Sequence, residues 1–477
     1  MKKPKEHADS IRESLIDSPD CGSRFLWSAR NTVSLSEALL GTSLGGRASE
    51  LAGRSVLIAT RDQLEAARVL IELDGSARRL IICPPDVSPV DIPGIVEQAE
   101  VDAVVLDISL LTEKRWREAL ESSVRLNRIP EIVPIASLVA AAKLAKMDPL
   151  VTEWVLLTSG TSGAPKMVVH SFATLTAAIR EAPQQDGNIV WGTFYDIRRY
   201  GGLQIFLRAL LGTGSLVLSD AVETLTDHLL RLSLHSVTHL TGTPSHWRRA
   251  LMNPMASVIA PRYARLSGEI VDQGILNMLH VFYPDAAIGH AFASTEAGVA
   301  FEVTDGLEGF PADFVGRHGG VDIKIEDNSL RIRSARTATH FLGTDKSTLR
   351  DSEGFVDTGD IVERRGNRYF FLGRRSGVIN VGGLKVHPEE IEVLLNGHPA
   401  VQISCVRPQR NPITGSLVVA DVVLKSGRDF EEDHAELKDD ILKACRERLP
   451  RHKVPAVLNF VPALNLSAAG KMTRHNA

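Results

Sequence analysis

Residues 155–166 read Val155-Leu156-Leu157-Thr158-Ser159-Gly160-Thr161-Ser162-Gly163-Ala164-Pro165-Lys166. The apolar run Val155 to Leu157 predicts a buried strand, and the small residues after it allow backbone N–H groups to turn toward a polyphosphate. Hydroxyls add hydrogen bonds, and Lys166 supplies a positive charge. Met167 follows the lysine, so this is not a Walker A loop. A Ser/Gly connector is the alternative, and the Pro-Lys ending after a strand argues against it.

On both sides of this loop, short apolar runs alternate with helical patterns. Upstream the segments are Val56 to Ala59, Gln63 to Leu73, Leu80 to Cys83, Ile92 to Ala99 and Ala103 to Leu106. Downstream, Ser215 to Leu218 is an apolar run and Thr224 to Ser233 has helical spacing. This alternation predicts βαβ units around a largely parallel sheet, and therefore an α/β fold.

The character of the chain changes near Asp360, where glycines become frequent among strand-like segments such as Tyr369 to Leu372. Frequent glycines among short strands are typical of turns at a domain boundary. We expect a large domain over residues 1–375, a hinge at Ser376 and a small α+β domain over residues 376–477. In the small domain, helices are expected over His387 to Leu395 and Glu432 to Leu449, and a strand over Gly415 to Leu424.

Composition excludes several classes of protein. The chain has 477 residues, 44% hydrophobic and 23% charged, with a formal net charge of -4, which implies no general attraction to nucleic acid or to an anionic membrane. Arg208, Gly212 and Gly214 interrupt the most apolar stretch, and Met1 to Ser14 lacks the apolar core of a secretory signal. The four cysteines form no C-x-x-C pair, so we expect packing thiols in the cytoplasm.

Four further segments carry polar residues that suit nucleotide chemistry. They are Phe292-Ala293-Ser294-Thr295-Glu296, Asp357-Thr358-Gly359-Asp360, Gly373 through Glu392, and Ser467-Ala468-Ala469-Gly470-Lys471. Taken singly, each has an ordinary explanation, such as a helix start at Thr295 or a Gly/Asp turn at Gly359. Together with the loop at Thr158, in this order, they resemble the adenylate-forming superfamily of acyl-CoA synthetases, adenylation domains and luciferases.

The resemblance implies roles for individual residues. It implies that Lys471 reaches the reacting carboxylate and α-phosphate, that Thr295 contacts the α-phosphate, and that Glu296 binds Mg²⁺. It implies that Phe292 stacks on adenine and that Asp360 and Arg374 contact the ribose. The full set of nucleotide-binding residues that it implies is Thr158, Ser159, Gly160, Thr161, Ser162, Gly163, Lys166, Gly268, Glu269, Phe292, Ala293, Ser294, Asp360 and Arg374.

The same resemblance implies an acyl pocket and a path for coenzyme A. The expected pocket residues are Tyr200, Gly201, Thr243, His290 and Ala291. Gly268 and Glu269 face either this pocket or the adenine. The expected lining of the pantetheine tunnel is Gly382, Gly383, Leu384 and Lys385.

Three departures from the family pattern affect these roles. Ser376 stands where the family usually has an acidic residue or lysine, and Met167 stands where a glycine commonly follows the loop lysine. The usual aromatic-histidine segment is replaced by Tyr195 to Gly202, which makes Tyr200 the expected gating ring. Within it, Arg198 and Arg199 suit a second carboxylate on the substrate, or form a solvated pair that Asp196 neutralises.

The implied activity is ATP-dependent activation of a small carboxylic acid through an acyl-adenylate, followed by thioester formation with coenzyme A. ATP, Mg²⁺ and coenzyme A are the implied cosubstrates and cofactor. Transfer to a carrier-protein thiol acting in trans, or to an amine, is the alternative, and a non-catalytic nucleotide-binding regulator is a weaker one. No G-x-G-x-x-G follows an early strand, which argues against a dinucleotide-dependent oxidoreductase. A homodimer is the default expectation for assembly.

Overall fold

The structure is a computed structural model that describes residues 9–16, 18, 20–124, 130–141, 150–158, 165–180, 188–343, 348–411, 415–425, 435–464 and 472. The elements up to residue 141 are α1 (Ile11–Ile16), β1 (Phe25–Trp27), β2 (Thr32–Ser34), α2 (Leu35–Leu40), β3 (Gly41–Thr42), β4 (Ser55–Ala59), α3 (Gln63–Leu73), β5 (Arg79–Cys83), α4 (Ile92–Gln98), β6 (Ala103–Leu106), α5 (Ile108–Thr112), α6 (Lys114–Val124), β7 (Glu131–Pro134) and β8 (Val139–Ala140).

The middle of the chain continues the alternation of strands and helices. Its elements are β9 (Glu153–Thr158), β10 (Lys166–Ser171), α7 (Phe172–Arg180), β11 (Val190–Thr193), α8 (Tyr200–Leu211), β12 (Ser215–Val217), α9 (Leu225–Leu234), β13 (His239–Gly242), α10 (Pro244–Met252), β14 (Tyr263–Ser267), α11 (Gln273–Phe282), β15 (Ala287–Ser294) and β16 (Gly298–Val303).

Short strands dominate the remainder. They are β17 (Phe310–Pro311), β18 (Gly316–His318), β19 (Val321–Glu326), β20 (Ser329–Arg333), β21 (His340–Leu342), β22 (Val356–Arg365) and β23 (Arg368–Arg374). After a 3-10 turn at Arg375–Gly377 come β24 (Ile379–Val381), β25 (Leu384–Val386), α12 (Pro388–Asn396), β26 (Val401–Asn411), β27 (Gly415–Leu424), α13 (Ala435–Arg448) and β28 (Val457–Phe460).

The first large sheet has the strand order β21-β10-β9-β5-β4-β6-β7 within the described residues. Strand β4 pairs in parallel with β5 and with β6, and α3 and α4 make the connections. Every residue of Ser55–Ala59 is buried, as expected for a central strand covered on both faces. The predicted βαβ units are therefore confirmed.

The second large sheet has the order β16-β15-β14-β13-β11-β12-β1-β2. Strands β11, β13, β14 and β15 run parallel in this order, with α10 and α11 linking β13 to β14 and β14 to β15. Their carboxyl ends therefore meet along one edge of the sheet, which is where open α/β sheets bind ligands.

The last part of the chain forms smaller units. A six-stranded sheet, β17-β23-β22-β20-β19-β18, ends at Arg374, and the hairpin β24-β25 and the sheet β26-β27-β28 follow the turn that contains Ser376. Helices α12 and α13 pack on that sheet around Ile391, Val406 and Ile441. The expected helices and strand of the small α+β domain are present, and the boundary at Ser376 stays a prediction.

Two expectations about the whole chain have a structural counterpart. The four cysteines form no disulfide, and Cys83, Cys405 and Cys445 are buried packing groups. In the part of the chain with described coordinates, no helix combines the length and the apolar character needed to cross a membrane.

Candidate active site

The glycine-rich loop connects the two strands of an antiparallel hairpin. Thr158 ends β9 and lies directly opposite Lys166, the first residue of β10, so the strand pairing fixes the two ends of the loop. The Lys166 ammonium lies 5.3 Å from the centre of the Phe341 ring on β21. The predicted phosphate contacts Ser159, Gly160, Thr161, Ser162 and Gly163 lie outside the described residues, so their role stays a prediction.

Strand β10 also contacts the segment Phe292 to Glu296, through a histidine that the sequence analysis did not select. His170 is fully buried, and its Nε2 lies 2.7 Å from the Thr295 carbonyl oxygen, to which it donates. Its Nδ1 lies 2.9 Å from the Thr174 hydroxyl. Burial lowers the pKa of His170 to about 4, so the ring is neutral at pH 7. Because Thr295 is 125 residues away in the chain, no local pattern could have identified this pairing.

Thr295 and Glu296 lie in the tight turn between β15 and β16, where a helix start was the ordinary alternative. The register of this strand pair shifts between Phe292 and Ala293, and such bulges are frequent next to functional sites. The Ser294 hydroxyl accepts from the Ala297 N–H at 3.0 Å, which holds the turn. The Glu296 carbonyl oxygen accepts from the Ala338 N–H at 3.0 Å, so the turn is fastened on two sides.

Phe292 connects this turn to the predicted ribose contacts. Its ring stacks on Phe371 of β23 at 5.3 Å between ring centres and 11° between planes, and on Phe301 at 5.6 Å. Three residues beyond Phe371, Arg374 lies opposite Asp360 in the β22-β23 pair, with 3.3 Å between Arg374 Nε and Asp360 Oδ1. The structure therefore brings Phe292 into contact with β23, the strand on which Arg374 lies opposite Asp360.

The Asp360 carboxylate is positioned by the turn that precedes it. Asp357 Oδ1 accepts from the Ser329 hydroxyl at 2.6 Å and from the Gly359 N–H at 2.9 Å. Gly359 has a φ of 69°, a backbone conformation that favours glycine. Asp357 thus shapes the turn, and Asp360 is left as the candidate ligand of the ribose.

The carboxyl ends of β13 and β14 carry the next group of predicted residues. Thr243 is the N-cap of α10 and accepts from the His246 N–H at 3.1 Å. Gly268 and Glu269 follow β14, and Glu269 accepts from both the N–H and the hydroxyl of Ser245 at 2.9 and 3.0 Å. Thr243 is therefore committed to a helix cap that the sequence analysis overlooked.

Glu269 also contacts the far end of the chain. Its Oε1 lies 3.3 Å from the backbone N–H of Met472, 203 residues later. Met472 directly follows Lys471, which lies outside the described residues. The hydrogen bond brings Met472 to the carboxyl end of β14, beside Gly268 and Glu269.

Five residues were assigned to the acyl pocket. Apart from Thr243, all of them lie on α8 or β15. Tyr200 begins α8 and is buried, and its ring lies 5.5 Å from that of His170. His290 and Ala291 are buried in β15, where His290 Nε2 lies 2.9 Å from the Leu307 carbonyl oxygen. Gly201 is exposed beside the Tyr195 ring. Tyr195, which was not assigned, donates its hydroxyl to the Ser267 carbonyl oxygen at 2.8 Å.

The two arginines offered as carboxylate ligands have other partners. Arg198 is 1% exposed and forms a two-point ion pair with Asp196, with N to O distances of 2.8 and 2.6 Å. Its remaining N–H groups donate to the carbonyl oxygens of Thr60 and Arg61. Arg199 pairs with Asp86 at the surface. For Arg198, neutralisation by Asp196 is the alternative that the structure supports.

The candidate coenzyme A residues form an exposed hairpin. Gly382 and Gly383 turn between β24 and β25 with φ values of 59° and 87°, and the Gly383 N–H donates to Asn380 Oδ1 at 2.9 Å. Leu384 is 51% exposed, and Lys385 is exposed beside it. These residues lie on the small domain, and their role as a tunnel lining stays a prediction.

The residues fit a magnesium ion of the kind that accompanies nucleotides. Among the described residues, no cluster of three or more His, Cys, Asp or Glu side chains has the geometry of a metal site. Mg²⁺ needs no such cluster, because it usually keeps several waters and takes one or two carboxylates plus substrate phosphates. The half-buried Glu296 carboxylate, on a turn fixed by His170 and Ala338, meets that requirement.

Comparison with known families identifies this architecture. The model of the AMP-binding enzyme family matches residues 53–336, and that of the AMP-binding enzyme C-terminal domain matches residues 390–471. The chain therefore belongs to the AMP-binding enzyme family, as the resemblance predicted.

Individual relatives are distant. A mitochondrial acyl-coenzyme A synthetase of Homo sapiens is 24% identical over 346 residues, which is 67% of this chain and 59% of that protein. The chain thus spans about three fifths of that relative's length. A mitochondrial acyl-coenzyme A synthetase of Rattus norvegicus is 25% identical over 443 residues, 86% of this chain and 74% of the relative.

Solved structures confirm the predicted fold. A benzoate CoA ligase from Burkholderia xenovorans superposes with a TM-score of 0.80 at 19% identity, covering 98% of this chain and 99% of the other. An amide bond synthetase from Marinactinospora thermotolerans superposes with a TM-score of 0.76 at 18% identity, covering 97% of each chain. Both a thioester-forming and an amide-forming enzyme therefore share this architecture.

Proposed function

We propose that this protein activates a carboxylic acid with ATP to form an acyl-adenylate and then transfers the acyl group to coenzyme A. The observation that carries the proposal is the hydrogen bond from Met472 to Glu269. It joins the residue after Lys471 to the edge where the predicted nucleotide contacts gather. A pure nucleotide binder has no use for a lysine at that position.

In the first half-reaction, an oxygen of the substrate carboxylate attacks the α-phosphorus of ATP, and the bond to pyrophosphate breaks. Negative charge grows on the phosphoryl oxygens, so positioned cations and N–H donors supply most of the catalysis. Lys166 and the loop before it hold the leaving phosphates, while Lys471 and Thr295 act at the α-phosphate. Glu296 would hold Mg²⁺, and the ion would supply further positive charge for the phosphates.

In the second half-reaction, the thiol sulfur of coenzyme A attacks the acyl carbonyl carbon, loses its proton, and displaces AMP. The exposed hairpin at Gly382 and Gly383 supports a role in admitting pantetheine, because no atom of the described residues lies within 4 Å of where a side chain would begin at either glycine. Arg374 and Asp360 hold the ribose of the leaving AMP.

Relatives do not agree on the acid. Their names specify 4-coumarate, 2-succinylbenzoate and benzoate, which differ in size and in charge. The substrate class must therefore come from the side chains of this chain. We further propose a cytoplasmic location and assembly as a homodimer, with a carrier-protein thiol acting in trans as the alternative acceptor.

The test is pyrophosphate release from ATP and Mg²⁺ across a panel of carboxylic acids, with and without coenzyme A. We expect acid-dependent release that coenzyme A stimulates, and a loss of about 10²- to 10³-fold in kcat for Lys471→Ala, because one charged group at the transition state is removed. Lys324→Ala serves as the matched control. It removes a lysine of β19 that pairs with Glu353. Release without a coenzyme A effect points to another acceptor, and no release with any acid rejects the proposal.

A further inference from the structure

Two arginines, Arg208 and Arg265, lie near the Glu302 carboxylate where α8 covers the second large sheet, and Arg336 lies close enough to Arg208 to repel it. Arg208 lies on α8, Arg265 lies on β14, Arg336 follows β20, and Glu302 lies on β16. Arg265 is 5% exposed, and its Nε lies 3.5 Å from Glu302 Oε1. Three guanidinium groups and one carboxylate leave this buried region with an excess of positive charge.

The cluster lacks acceptors for its donors. Arg265 Nη2 and Arg208 Nε are both buried, and neither has a hydrogen-bond acceptor in the described part of the chain. Leaving a buried N–H without an acceptor destabilises the folded state, and the penalty is larger when the group is charged. Arg336 also has a buried Nε without an acceptor, but its other two nitrogens donate to the carbonyl oxygens of Val299, Ala300 and Gly319.

Other arginines of this protein have acceptors for at least part of their guanidinium group. Arg24 donates to the carbonyl oxygens of Ala209, Leu210 and Gly214, and Arg248 pairs with Asp272 at 2.6 Å. Five more have a buried Nε without an acceptor but donate through another nitrogen: Arg12, Arg68, Arg199, Arg331 and Arg336. Arg208 and Arg265 differ, because neither guanidinium donates a hydrogen bond to any of the described residues, and Arg265 has only its 3.5 Å ion pair with Glu302. Buried polar groups in native proteins are nearly always satisfied, so a ligand atom is the simplest missing partner.

Both arginines remain charged at neutral pH. Burial, followed by the positive charge of Arg265, lowers the pKa of Arg208 to about 10. Burial also lowers the pKa of Arg265. Burial raises the pKa of Glu302, the carboxylate that opposes them.

The cluster adjoins the expected acyl pocket. Arg265 lies two residues before Ser267, whose hydroxyl donates to the Ala291 carbonyl oxygen at 2.9 Å, so both strands lead to the predicted pocket wall. Tyr200 begins the helix that carries Arg208. Gly289 lies beside Arg265 in the sheet, and a side chain there would meet Glu302 Oε1 at 2.9 Å.

We propose that Arg208 and Arg265 bind a second carboxylate on the substrate, so that the acid activated by this protein is a dicarboxylic acid. The inference rests on the proposed function and deepens it. A guanidinium and a carboxylate form short, charge-assisted and often paired hydrogen bonds, which would satisfy the buried N–H groups. A site built for such a group rejects an analogue that lacks it, because the buried donors are then left unpaired.

The test compares each dicarboxylic acid with its own monoamide, which has nearly the same shape but one charge fewer. The panel covers straight-chain diacids of increasing length and the benzene dicarboxylic acids, with pyrophosphate release from ATP and Mg²⁺ as the readout. We expect at least one diacid to exceed its monoamide by about 100-fold or more in kcat/KM.

Arg208→Gln and Arg265→Gln should reduce that preference to less than about tenfold, chiefly by raising the KM of the diacid rather than by lowering its kcat. Arg262→Gln is the matched control, since Arg262 is an exposed arginine three residues before Arg265 that donates to the Asn188 carbonyl oxygen. It should keep the preference. Where a variant fails to fold, stabilisation of the wild-type protein by the diacid but not by its monoamide, in the absence of ATP, remains a second readout.

The outcomes separate this inference from the proposed function. Monoamides or monoacids used as well as diacids overturn the inference and leave acid activation standing. A preference that persists in both glutamine variants overturns the assignment to Arg208 and Arg265. No pyrophosphate with any acid rejects the proposed function, and the inference falls with it.

Discussion

Two groups of arginines on and beside α8 differ in what surrounds them. Just before the helix, Arg198 is enclosed by acceptors from Asp196, Thr60 and Arg61. Along the helix, Arg208 faces Arg265 and a shared Glu302, and buried donors on both lack acceptors. Burial alone therefore does not assign a role to an arginine. The acceptors decide, because a satisfied guanidinium stabilises the fold while an unsatisfied one is available to a ligand.

The largest effect on stability should come from Arg198→Leu. The substitution leaves Asp196, whose side chain is 10% exposed, without its buried partner. We expect a loss of about 3–5 kcal/mol in the free energy of unfolding. Urea denaturation measures it. Arg199→Leu, which breaks the more exposed pair with Asp86, is the control and should cost less than about 1 kcal/mol. Equal losses of stability in the two variants would show that the buried pair of Arg198 contributes no more to the fold than the more exposed pair of Arg199.

A smaller effect on stability, one that depends on pH, should come from the buried histidines, which unlike arginines can lose their charge. Burial lowers the pKa of His170 to about 4 and that of His246 to about 3. The unfolded state takes up a proton below about pH 6.5 and the folded state does not, so stability is lost as the pH falls from 6.5 toward 4. For His170 alone the loss between pH 7 and pH 5 is roughly 2 kcal/mol.

Denaturation with urea at pH 7 and pH 5 checks this value. His170→Asn should be less stable than wild type at pH 7 but should lose roughly 2 kcal/mol less on acidification. His280→Asn changes an exposed histidine on α11 and should keep the wild-type pH dependence. An unchanged pH dependence in His170→Asn would show that this ring is not kept neutral by the fold.

The smallest change in the free energy of unfolding should come from Arg208→Leu, which we expect to be neutral or stabilising rather than destabilising. The substitution removes a desolvated charge and its repulsion with Arg265, at the cost of one attraction to Glu302. We expect the free energy of unfolding without substrate to stay within about 1 kcal/mol of wild type or to rise. The same urea measurement as for Arg198→Leu decides. A loss above about 2 kcal/mol would mean that Arg208 stabilises the fold, and would argue against a role for Arg208 in ligand binding.

Much of the fold followed from local patterns. The buried strands Ser55–Ala59 and Arg79–Cys83 and the helix between them were predictable, because a strand buried on both faces reads as a continuous apolar segment. The hairpin β24-β25 was signalled by Gly382 and Gly383, both of which have positive φ. Family membership followed from motifs whose order along the chain is itself the signal.

The site was only partly predictable. The pairing of Asp360 with Arg374 came from motifs that were recognised, whereas the bond from His170 to Thr295 joins residues that no local pattern connects. Arg198 and Arg199 drew attention as adjacent charges, and the structure supplied Arg198 with internal partners. Arg208 was noted only as an interruption of an apolar stretch, and Arg265 was not noted.

The sequence by itself determined the class of the protein: an α/β chain with an adenylate-forming order of motifs and a lysine near its end. These properties are local or one-dimensional, and periodicity, turn residues and motif order express them directly. Only the tertiary structure decided which arginines are satisfied and which are not. That difference depends on acceptors contributed by distant strands and helices, and hydrogen bonding among buried groups is set by three-dimensional packing rather than by neighbours along the chain.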